Sequence, residues 1–361
     1  MRISASTAFI FAAALAFGAV LVSAANPAQP AEDRDANAVV HADEGSVTSK
    51  TVIGLHVPWA VGGLRIERDG SLRQHPGEWP TIHVHSLRLW DTRTAWLNLE
   101  LAQDQWEFGQ LDAQIAVAHA HGVKDITLVL WGTPVWAASS LDEDDAGWLG
   151  PGAAAMPRNM NDWREFVAKV AARYRGVITA YEIGNEPEDR KFWRGTPQQF
   201  AQMVSTAAST IHETDPGAVV VAPATLMAME EGTAGIRNQA PPGWAAEVDA
   251  LAFHWYPRTS TSPQRLSRVV TGLRARMKAL GLGGMNLWLT EVNYRGARVS
   301  ATRERALVSG TNEEARRLGL ERVYWYAWTD LGPPQLLQLQ PGSPAEAALR
   351  SSSDQISTRK T

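Results

Sequence analysis

Two glutamates stand where two apolar segments of the chain end, and their positions favour acid–base chemistry. Residues 181–184 run directly into Asn185-Glu186-Pro187, and residues 286–290 run into Glu291. Both segments read as buried strands, so each carboxylate stands at the end of its own strand. If the strands share a parallel sheet, their carboxyl ends meet at one edge, and the two carboxylates face each other across a cleft.

A facing pair of carboxyl groups suits the hydrolysis of a glycosidic bond. One acid protonates the leaving oxygen, and the other carboxylate attacks the sugar or stabilises its positive charge. If Glu186 is the acid, its pKa must be raised, and we expect the charge of Glu291 to raise it. Glu291 must then stay ionised.

Four polar residues near predicted strand ends complete the candidate site: Arg88, Asn185, His254 and Tyr256. A guanidinium beside Glu291 favours its anion, and the Tyr256 hydroxyl can donate a hydrogen bond to it. Asn185 can bond the 2-hydroxyl of the sugar, a contact that strengthens in the transition state. We place all four in the set that binds substrate.

Each of these residues also has a structural interpretation. Arg88 can form a buried ion pair, for example with Glu182, and His254 can be a hydrogen-bonded histidine of the core. It is the combination of side chains at several strand ends that favours a catalytic site.

Tryptophan is unusually frequent, with 15 residues in the chain. Flat indole faces suit sugar rings, although most of these side chains are expected in the core. Trp136 follows the third predicted strand, Trp193 follows Glu186 by seven residues, and Trp328 ends the eighth strand. We predict that at least two of them line the cleft and that Trp328 stacks on the sugar being cleaved. The alternative is that they plug the rim of the fold.

Eight apolar runs rich in β-forming residues lack the polar alternation of half-exposed strands, which is typical of parallel sheets covered by helices. They span residues 52–59, 83–90, 126–131, 178–184, 219–222, 250–255, 286–290 and 323–328. Helices are predicted between them, at 110–121, 161–174, 197–213 and 263–280, with proline or glycine at several ends. Eight such units in about 290 residues indicate an α/β fold, a (β/α)8 barrel.

The ends of the chain have a different character. A charged start, an apolar run over residues 8–22 and small residues before Ala25 indicate a secretory signal peptide over 1–24. An uncleaved anchor is the alternative, but the run is short for a membrane span of about 20 residues. Residues 25–50 read as a flexible leader, 51–350 as the catalytic domain, and 351–361 as a disordered tail.

Composition excludes several kinds of function. The chain has no cysteine, which removes disulfides, thiol nucleophiles and cysteine-ligated metals. A net charge of −4 argues against a nucleic-acid partner. A metal-dependent barrel hydrolase would need ligands at strand ends, but His83-Val84-His85 begins its strand, roughly 10–17 Å below Arg88. No metal or cofactor is therefore expected.

The chain resembles the clan A glycoside hydrolases and, within them, family 39. The resemblance covers roughly residues 52–331 and rests on Leu87-Arg88-Leu89-Trp90-Asp91, Gly132-Thr133-Pro134-Val135-Trp136, residues 181–187, His254-Trp255-Tyr256-Pro257 and residues 287–291. It implies a retaining enzyme with Glu186 as acid/base and Glu291 as nucleophile. Members include β-xylosidases, iduronidases and hydrolases of bacterial biofilm exopolysaccharide. About 30 residues follow the last strand, so the accessory β-domain of many members is expected to be missing.

These observations favour a secreted or periplasmic monomer that acts on an oligo- or polysaccharide, with endo action on a microbial exopolysaccharide. Five cations in the loops after strands four and seven are compatible with an acidic chain as substrate, and the alternative is that they only solvate the loops; they are Arg190, Lys191, Arg194, Arg295 and Arg298. The alternatives are an exo-acting β-glycosidase of the β-xylosidase type and a catalytically inactive carbohydrate-binding barrel.

Overall fold

The computed structural model describes residues 51–66, 72–141, 150–227, 247–328 and 336–357. The predicted signal peptide and leader lie outside these residues. In chain order the strands are β1 (Val52–Leu55), β2 (Gly63–Ile66), β3 (Leu72–His75), β4 (Ser86–Leu89), β5 (Glu100–Ala102), β6 (Gln105–Trp106), β7 (Asp125–Leu130), β8 (Ala180–Ile183), β9 (Val219–Val221), β10 (Thr225–Met227), β11 (Ala250–Trp255), β12 (Asn286–Val292) and β13 (Arg322–Trp325).

The helices cover the outside of the sheet. They are α1 (Trp96–Leu99), α2 (Gly109–Ala120), α3 (Met160–Arg173), α4 (Pro197–Thr214), α5 (Leu266–Ala279), which follows a 3-10 turn at Pro263–Arg265, α6 (Ala301–Arg317) and α7 (Pro344–Ser357). Their starts follow local rules: α4 opens with a capping box between Thr196 and Gln199, with Pro197 in the first turn.

Eight parallel strands close into a barrel in the order β1, β4, β7, β8, β9, β11, β12 and β13. β13 returns to β1, with Val52 opposite Arg322, and β9 reaches β11 through Val221 and Ala250. The short strand β10 prolongs the path of β9 and pairs with the end of β11. The predicted (β/α)8 barrel is confirmed, and all eight predicted strands are present.

The interior of the barrel is filled by side chains below the catalytic face. The Tyr324 hydroxyl lies 2.8 Å from both Ser86 Oγ and Thr127 Oγ1, and it joins three strands across the barrel. Gly54 makes room for this ring, since a Cβ atom there would lie 2.6 Å from it. The barrel is therefore a packed core, and chemistry is confined to its mouth.

The segment after β13 departs from the prediction of a disordered tail. Helix α7 continues to Ser357, past the expected boundary at residue 351. The described residues that follow β13 are 326–328 and 336–357, and they contain α7 and a bridge between Trp328 and Leu339. No helix in the described parts of the chain is long and apolar enough to cross a membrane.

Candidate active site

Glu186 and Glu291 meet at the carboxyl ends of β8 and β12. One oxygen from each carboxyl group and one ring nitrogen of His254 all lie within 4.8 Å of one another. Glu186 is 9% and Glu291 6% exposed, so both carboxyl groups open only narrowly to solvent. The two strand-end glutamates thus form one compact pair.

The backbone that carries Glu186 is unusual. Glu186 has φ +40°, a left-handed conformation that is uncommon for a residue with a side chain. Its N–H donates to Ala224 O at 3.0 Å, and this bond joins the end of β8 to the segment that follows β9. Gly184 also has a positive φ, and a Cβ atom there would lie 2.6 Å from the Phe200 ring. This packing fixes the turn that presents Glu186 to the cleft.

Arg88 links three strands beneath the pair. Its Nε and Nη2 atoms donate to the two oxygens of Glu182 at 2.7 and 2.9 Å, and its Nη1 atom donates to Glu291 Oε1 at 2.8 Å. Arg88 and Glu182 are both 0% exposed. The ion pair with Glu182 raised as an alternative is therefore present, together with the contact to Glu291. Arg88 has no surface for a sugar, which corrects its placement among the substrate-binding residues.

Glu291 is held at both oxygens. Arg88 occupies Oε1, and the Tyr256 hydroxyl donates to Oε2 at 2.5 Å. The register between β11 and β12 shifts after Phe253, and the shift sets His254 opposite Glu291. Such an irregularity re-aims side chains at a strand end. The structure thus places Tyr256 where the sequence predicted it, beside the carboxylate.

His254 contacts both glutamates instead of solvent. Its Nδ1 atom lies 2.7 Å from Glu186 Oε1 and 3.6 Å from Glu291 Oε2, and the residue is 0% exposed. Burial lowers the pKa of His254 to about 4, with the charge of Glu291 opposing and that of Arg88 adding to the shift. The buried ring presents no exposed atom to a sugar and contacts the two glutamates, so the structure places it as a residue that orients them.

Burial is the main cause of the raised pKa of Glu186. Burial and then the charge of Asp189 raise this pKa to about 7, while Arg88, Lys191 and Arg295 oppose the rise. The sequence interpretation expected the charge of Glu291 to do this. Burial leads instead, because the environment of Glu186 is already poor in water, while the coupling of the two carboxyl groups is seen in the raised pKa of Glu291.

Burial also raises the pKa of Glu291, and the charges of His254 and Arg88 oppose the rise. The nearby charge of Glu186 raises it further, and the hydrogen bond from Tyr256 lowers it. Arg88 and Tyr256 bind the two oxygens of Glu291, one of them as a cation, whereas Glu186 has the neutral His254 ring at one oxygen. The two carboxyl groups therefore have different environments, as an acid and a nucleophile require.

The three predicted tryptophans do not form the sugar platform. Trp328 is 1% exposed and lies in the main core, so it offers no face to a ring. Trp193 is buried, and its Nε1 atom donates to Thr196 O ahead of α4. Trp136 is half-buried, and its Nε1 atom donates to Glu100 O in the β5–β6 hairpin. Each of these side chains anchors a loop.

A different aromatic group lies beside the site. Trp90 and Trp131 pack at a ring distance of 4.7 Å, and Phe192 meets both edge-on at 5.6 Å. Tyr326 packs against this cluster, and the Arg88 guanidinium lies 5.9 Å from the Trp90 ring. Sequence reasoning missed this group, although Trp90 stands two residues after Arg88 and belongs to one of the motifs quoted above.

Glu186, His254 and Glu291 offer three ligand atoms of types that bind metal ions. The Arg88 cation, 2.8 Å from Glu291, competes for the same carboxylate. His83 and His85 precede Ser86, the first residue of β4, and so lie at the opposite end of that strand from Arg88. The alternative with those histidines as metal ligands has no support in this geometry.

The fold is similar to solved glycosidase structures. A glucosidase from Croceicoccus marinus matches with a TM-score of 0.60 and 13% identity, over 85% of this chain and 68% of that chain. A family 39 glycoside hydrolase from the gut symbiont Bacteroides cellulosilyticus WH2 matches with a TM-score of 0.57 and 14% identity, over 74% and 58%. A monomeric β-xylosidase from Caulobacter crescentus CB15 matches with a TM-score of 0.56 and 20% identity, over 74% and 61%.

The chain spans less than two thirds of the last two of these proteins. At such identities the likeness shows a shared fold, and the resemblance to clan A glycoside hydrolases is confirmed at that level. The sequence matches no protein-family model. It has no match among curated proteins either.

Proposed function

We propose that this protein is a retaining glycoside hydrolase with Glu186 as acid/base and Glu291 as nucleophile. The observation that carries the proposal is the approach of the two carboxyl groups, whose oxygens come within 4.8 Å. Retaining glycosidases hold their carboxyl groups about 5–5.5 Å apart, whereas inverting enzymes need roughly 6.5–9.5 Å to admit a water. The spacing supports direct attack by Glu291.

In the first step an oxygen of Glu291 attacks C1 of the sugar, and Glu186 gives its proton to the glycosidic oxygen. The C1–O bond breaks, the alcohol leaves, and a glycosyl ester forms on Glu291. A pKa of about 7 keeps Glu186 protonated in mildly acidic solution. Arg88 and Tyr256 stabilise the attacking carboxylate and orient its oxygens.

In the second step water replaces the ester. Glu291 carries no charge once it is esterified, so Glu186 can ionise without repulsion from it. Glu186 then takes a proton from water, the hydroxide attacks C1, and the ester bond breaks with net retention of configuration. Both carboxyl groups return to their first state.

Asn185 has a defined orientation for this reaction. Its Oδ1 atom accepts a hydrogen bond from Arg88 Nη2 at 3.1 Å, so its NH2 group is the end left for a sugar hydroxyl. Asn185 is 4% exposed and next to Glu186 in sequence. This supports donation to the 2-hydroxyl, a bond that contributes several kcal/mol in related reactions as charge develops on the ring.

At a finer level we propose endo action on a microbial exopolysaccharide by a secreted or periplasmic monomer. The apolar start of the sequence supports export, and cations in loops at the mouth of the barrel support capture of a charged chain. Exo action of the β-xylosidase type is the second candidate. It is favoured by the fold likeness to the Caulobacter crescentus β-xylosidase.

The test of activity is a screen of aryl glycosides and polysaccharides with the Glu291→Ala protein as blank. Glu291→Ala should abolish turnover of every substrate. Glu186→Ala should lose least activity on aryl glycosides with good leaving groups, which need no proton to depart. Azide should then restore turnover, because it attacks the glycosyl ester without a general base. Glu165→Gln, on the exposed face of α3, is the matched control and should leave rates unchanged.

NMR of the first product decides the stereochemistry, and an inverted anomer would refute the mechanism. Equal damage by Glu186→Ala on all leaving groups, without azide rescue, would refute the assignment of the acid. Binding of glycans with no turnover of any substrate would favour the inactive carbohydrate-binding barrel. Product sizing on a long polysaccharide distinguishes endo from exo action, because release of monosaccharide alone from the outset would exclude endo action.

A further inference from the structure

Asp91 and Tyr326 form a hydrogen-bonded pair at the mouth of the barrel that the reaction scheme above does not use. The Tyr326 hydroxyl donates to Asp91 Oδ2 at 2.7 Å and thus joins the loop after β4 to the segment after β13. Both residues are half-buried, so each keeps some exposed surface. A polar pair in this position can contact a ligand.

The pair lies on the nucleophile side of the site. The Tyr326 ring packs edge-on against the His56 ring at 5.0 Å, and His56 Nε2 lies 3.4 Å from Arg88 Nη1. The same Arg88 nitrogen binds Glu291. The acid Glu186 defines the side of the leaving group, so the opposite side, near Glu291, receives the sugar that becomes covalently bound.

The Asp91 carboxylate has capacity for further hydrogen bonds. A carboxylate accepts about four. Among the described residues its hydrogen-bond partners are the Tyr326 hydroxyl and its own backbone N–H, and the charge of Arg88 acts on it without a direct ion pair. Burial raises the pKa of Asp91, and the hydrogen bond from Tyr326 opposes the rise. Donors from a bound ligand would complete this set and favour the ionised form.

We propose that Asp91, oriented by Tyr326, is the specificity-determining residue for the sugar on the nucleophile side, and that this sugar is neutral and donates hydroxyl groups to it. This inference rests on the proposed hydrolase function. A uronic acid in this position would bring a second carboxylate against Asp91. The nearest cation that acts on Asp91, Arg88, is already paired with Glu182 and Glu291. The anionic groups of an acidic polymer would then lie on the side of Glu186, near Lys191.

The test compares an aryl glycoside of a neutral hexose with the aryl glycoside of the matching uronic acid. The wild-type protein should prefer the neutral substrate at least tenfold in kcat/KM. Asp91→Asn should lower kcat/KM for the neutral substrate by roughly 10- to 100-fold, as expected for a lost charge-assisted bond, and should narrow the preference. Tyr326→Phe should also lower kcat/KM for the neutral substrate, by a smaller factor than Asp91→Asn. Asp112→Asn, in an exposed ion pair with Arg173, is the control.

A merely structural role would lower both rates equally and leave the preference unchanged, and that result would overturn the proposal. Monodeoxy substrates add a second readout. Removing the hydroxyl that contacts Asp91 should slow the wild-type protein but not Asp91→Asn; slowing both proteins equally would count against the contact.

A binding experiment tests the role of Asp91 independently of whether the protein hydrolyses any substrate. Calorimetry with a neutral iminosugar and its carboxylate analogue needs no turnover. Preferential binding of the neutral compound, reduced in Asp91→Asn, supports the proposal even if no substrate is hydrolysed. Equal or tighter binding of the carboxylate by the wild-type protein refutes it.

Discussion

The Nδ1 atom of His254 lies 2.7 Å from Oε1 of Glu186. Since the His254 ring is neutral above about pH 4, it can donate its Nδ1 hydrogen to that oxygen without adding a charge to the site. Oε1 is thereby fixed, and Oε2 is left to carry the proton that reaches the leaving group. A buried histidine therefore orients the acid, and the cleft itself is lined by other side chains.

The first prediction concerns the alkaline side of the pH profile. With a pKa of about 7, Glu186 loses its proton above neutrality, and kcat/KM should fall about tenfold per pH unit beyond that point. The measurement is kcat/KM from pH 4 to 9 on a substrate with a poor leaving group. In Glu186→Gln, assayed with a leaving group that needs no proton, this decline should vanish; if it persists, another group is responsible.

The second prediction concerns stability. The pKa of Glu186 in the folded state, about 7, exceeds its ordinary value of 4.5, so the folded chain holds this proton more tightly. The associated stability is fully present below about pH 4.5 and is lost as pH rises through about 7. Glu186→Gln stays neutral. It should therefore exceed the wild-type free energy of unfolding by up to about 3 kcal/mol at pH 8, and by almost nothing at pH 4.5.

Urea unfolding at the two pH values checks this difference. Glu165→Gln, which changes an exposed glutamate on α3, should have the wild-type free energy of unfolding at both pH values. A gain in Glu186→Gln that is the same at both pH values would mean that the ionisation of Glu186 is not its source.

The barrel could be predicted from the sequence because buried parallel strands produce uninterrupted apolar runs. Glu186 and Glu291 were found for the same reason, since each directly follows such a run. The predicted ends of the strands were less accurate than their number and order. The first run was expected to reach Trp59, but β1 ends at Leu55, and the eighth was expected to reach Trp328, but β13 ends at Trp325. Apolar residues also fill the loops just beyond a sheet, where no periodicity marks the boundary.

The error about Trp328 has a physical cause that no local pattern contains. After Trp325 the chain leaves the sheet, and the Trp328 N–H donates to His56 O at 2.8 Å while Trp328 also bridges to Leu339. These contacts turn the indole into the core and leave Tyr326 facing the site. His56 is distant from Trp328 in sequence, so the direction of this ring depends on tertiary packing.

The third prediction concerns the buried ion network. Arg88→Met would leave Glu182 and Glu291 without their shared cation in the core, and we expect a loss of about 3–5 kcal/mol in the free energy of unfolding. Arg88→Lys keeps the charge but cannot bind Glu182 with two parallel bonds, so it should be intermediate. Arg173→Met breaks an exposed pair and should cost less than about 1 kcal/mol. Equal losses for Arg88→Met and Arg173→Met in urea unfolding would contradict the structural role of Arg88.

The last prediction concerns the charge of the substrate. Lys191 is exposed, and Arg295 is anchored by a bond from its Nε to Tyr256 O at 2.9 Å. Both cations lower the pKa of Glu186, so both lie within electrostatic reach of the acid. For an anionic polysaccharide, kcat/KM should fall as ionic strength rises to the physiological value, whereas a neutral aryl glycoside should be unaffected. Lys191→Gln should weaken this salt dependence, and Lys124→Gln, just before β7 at the opposite end of the barrel, should not.

Lys191→Gln also provides an internal check on a neutral substrate. Removing a cation near Glu186 should raise the pKa of this acid and move the alkaline decline of kcat/KM to higher pH. A shifted decline without any salt dependence on polysaccharides would show that Lys191 acts on Glu186 alone. The case for an acidic substrate would then be lost, because the same cation would sense the catalytic acid but no charge on the bound chain.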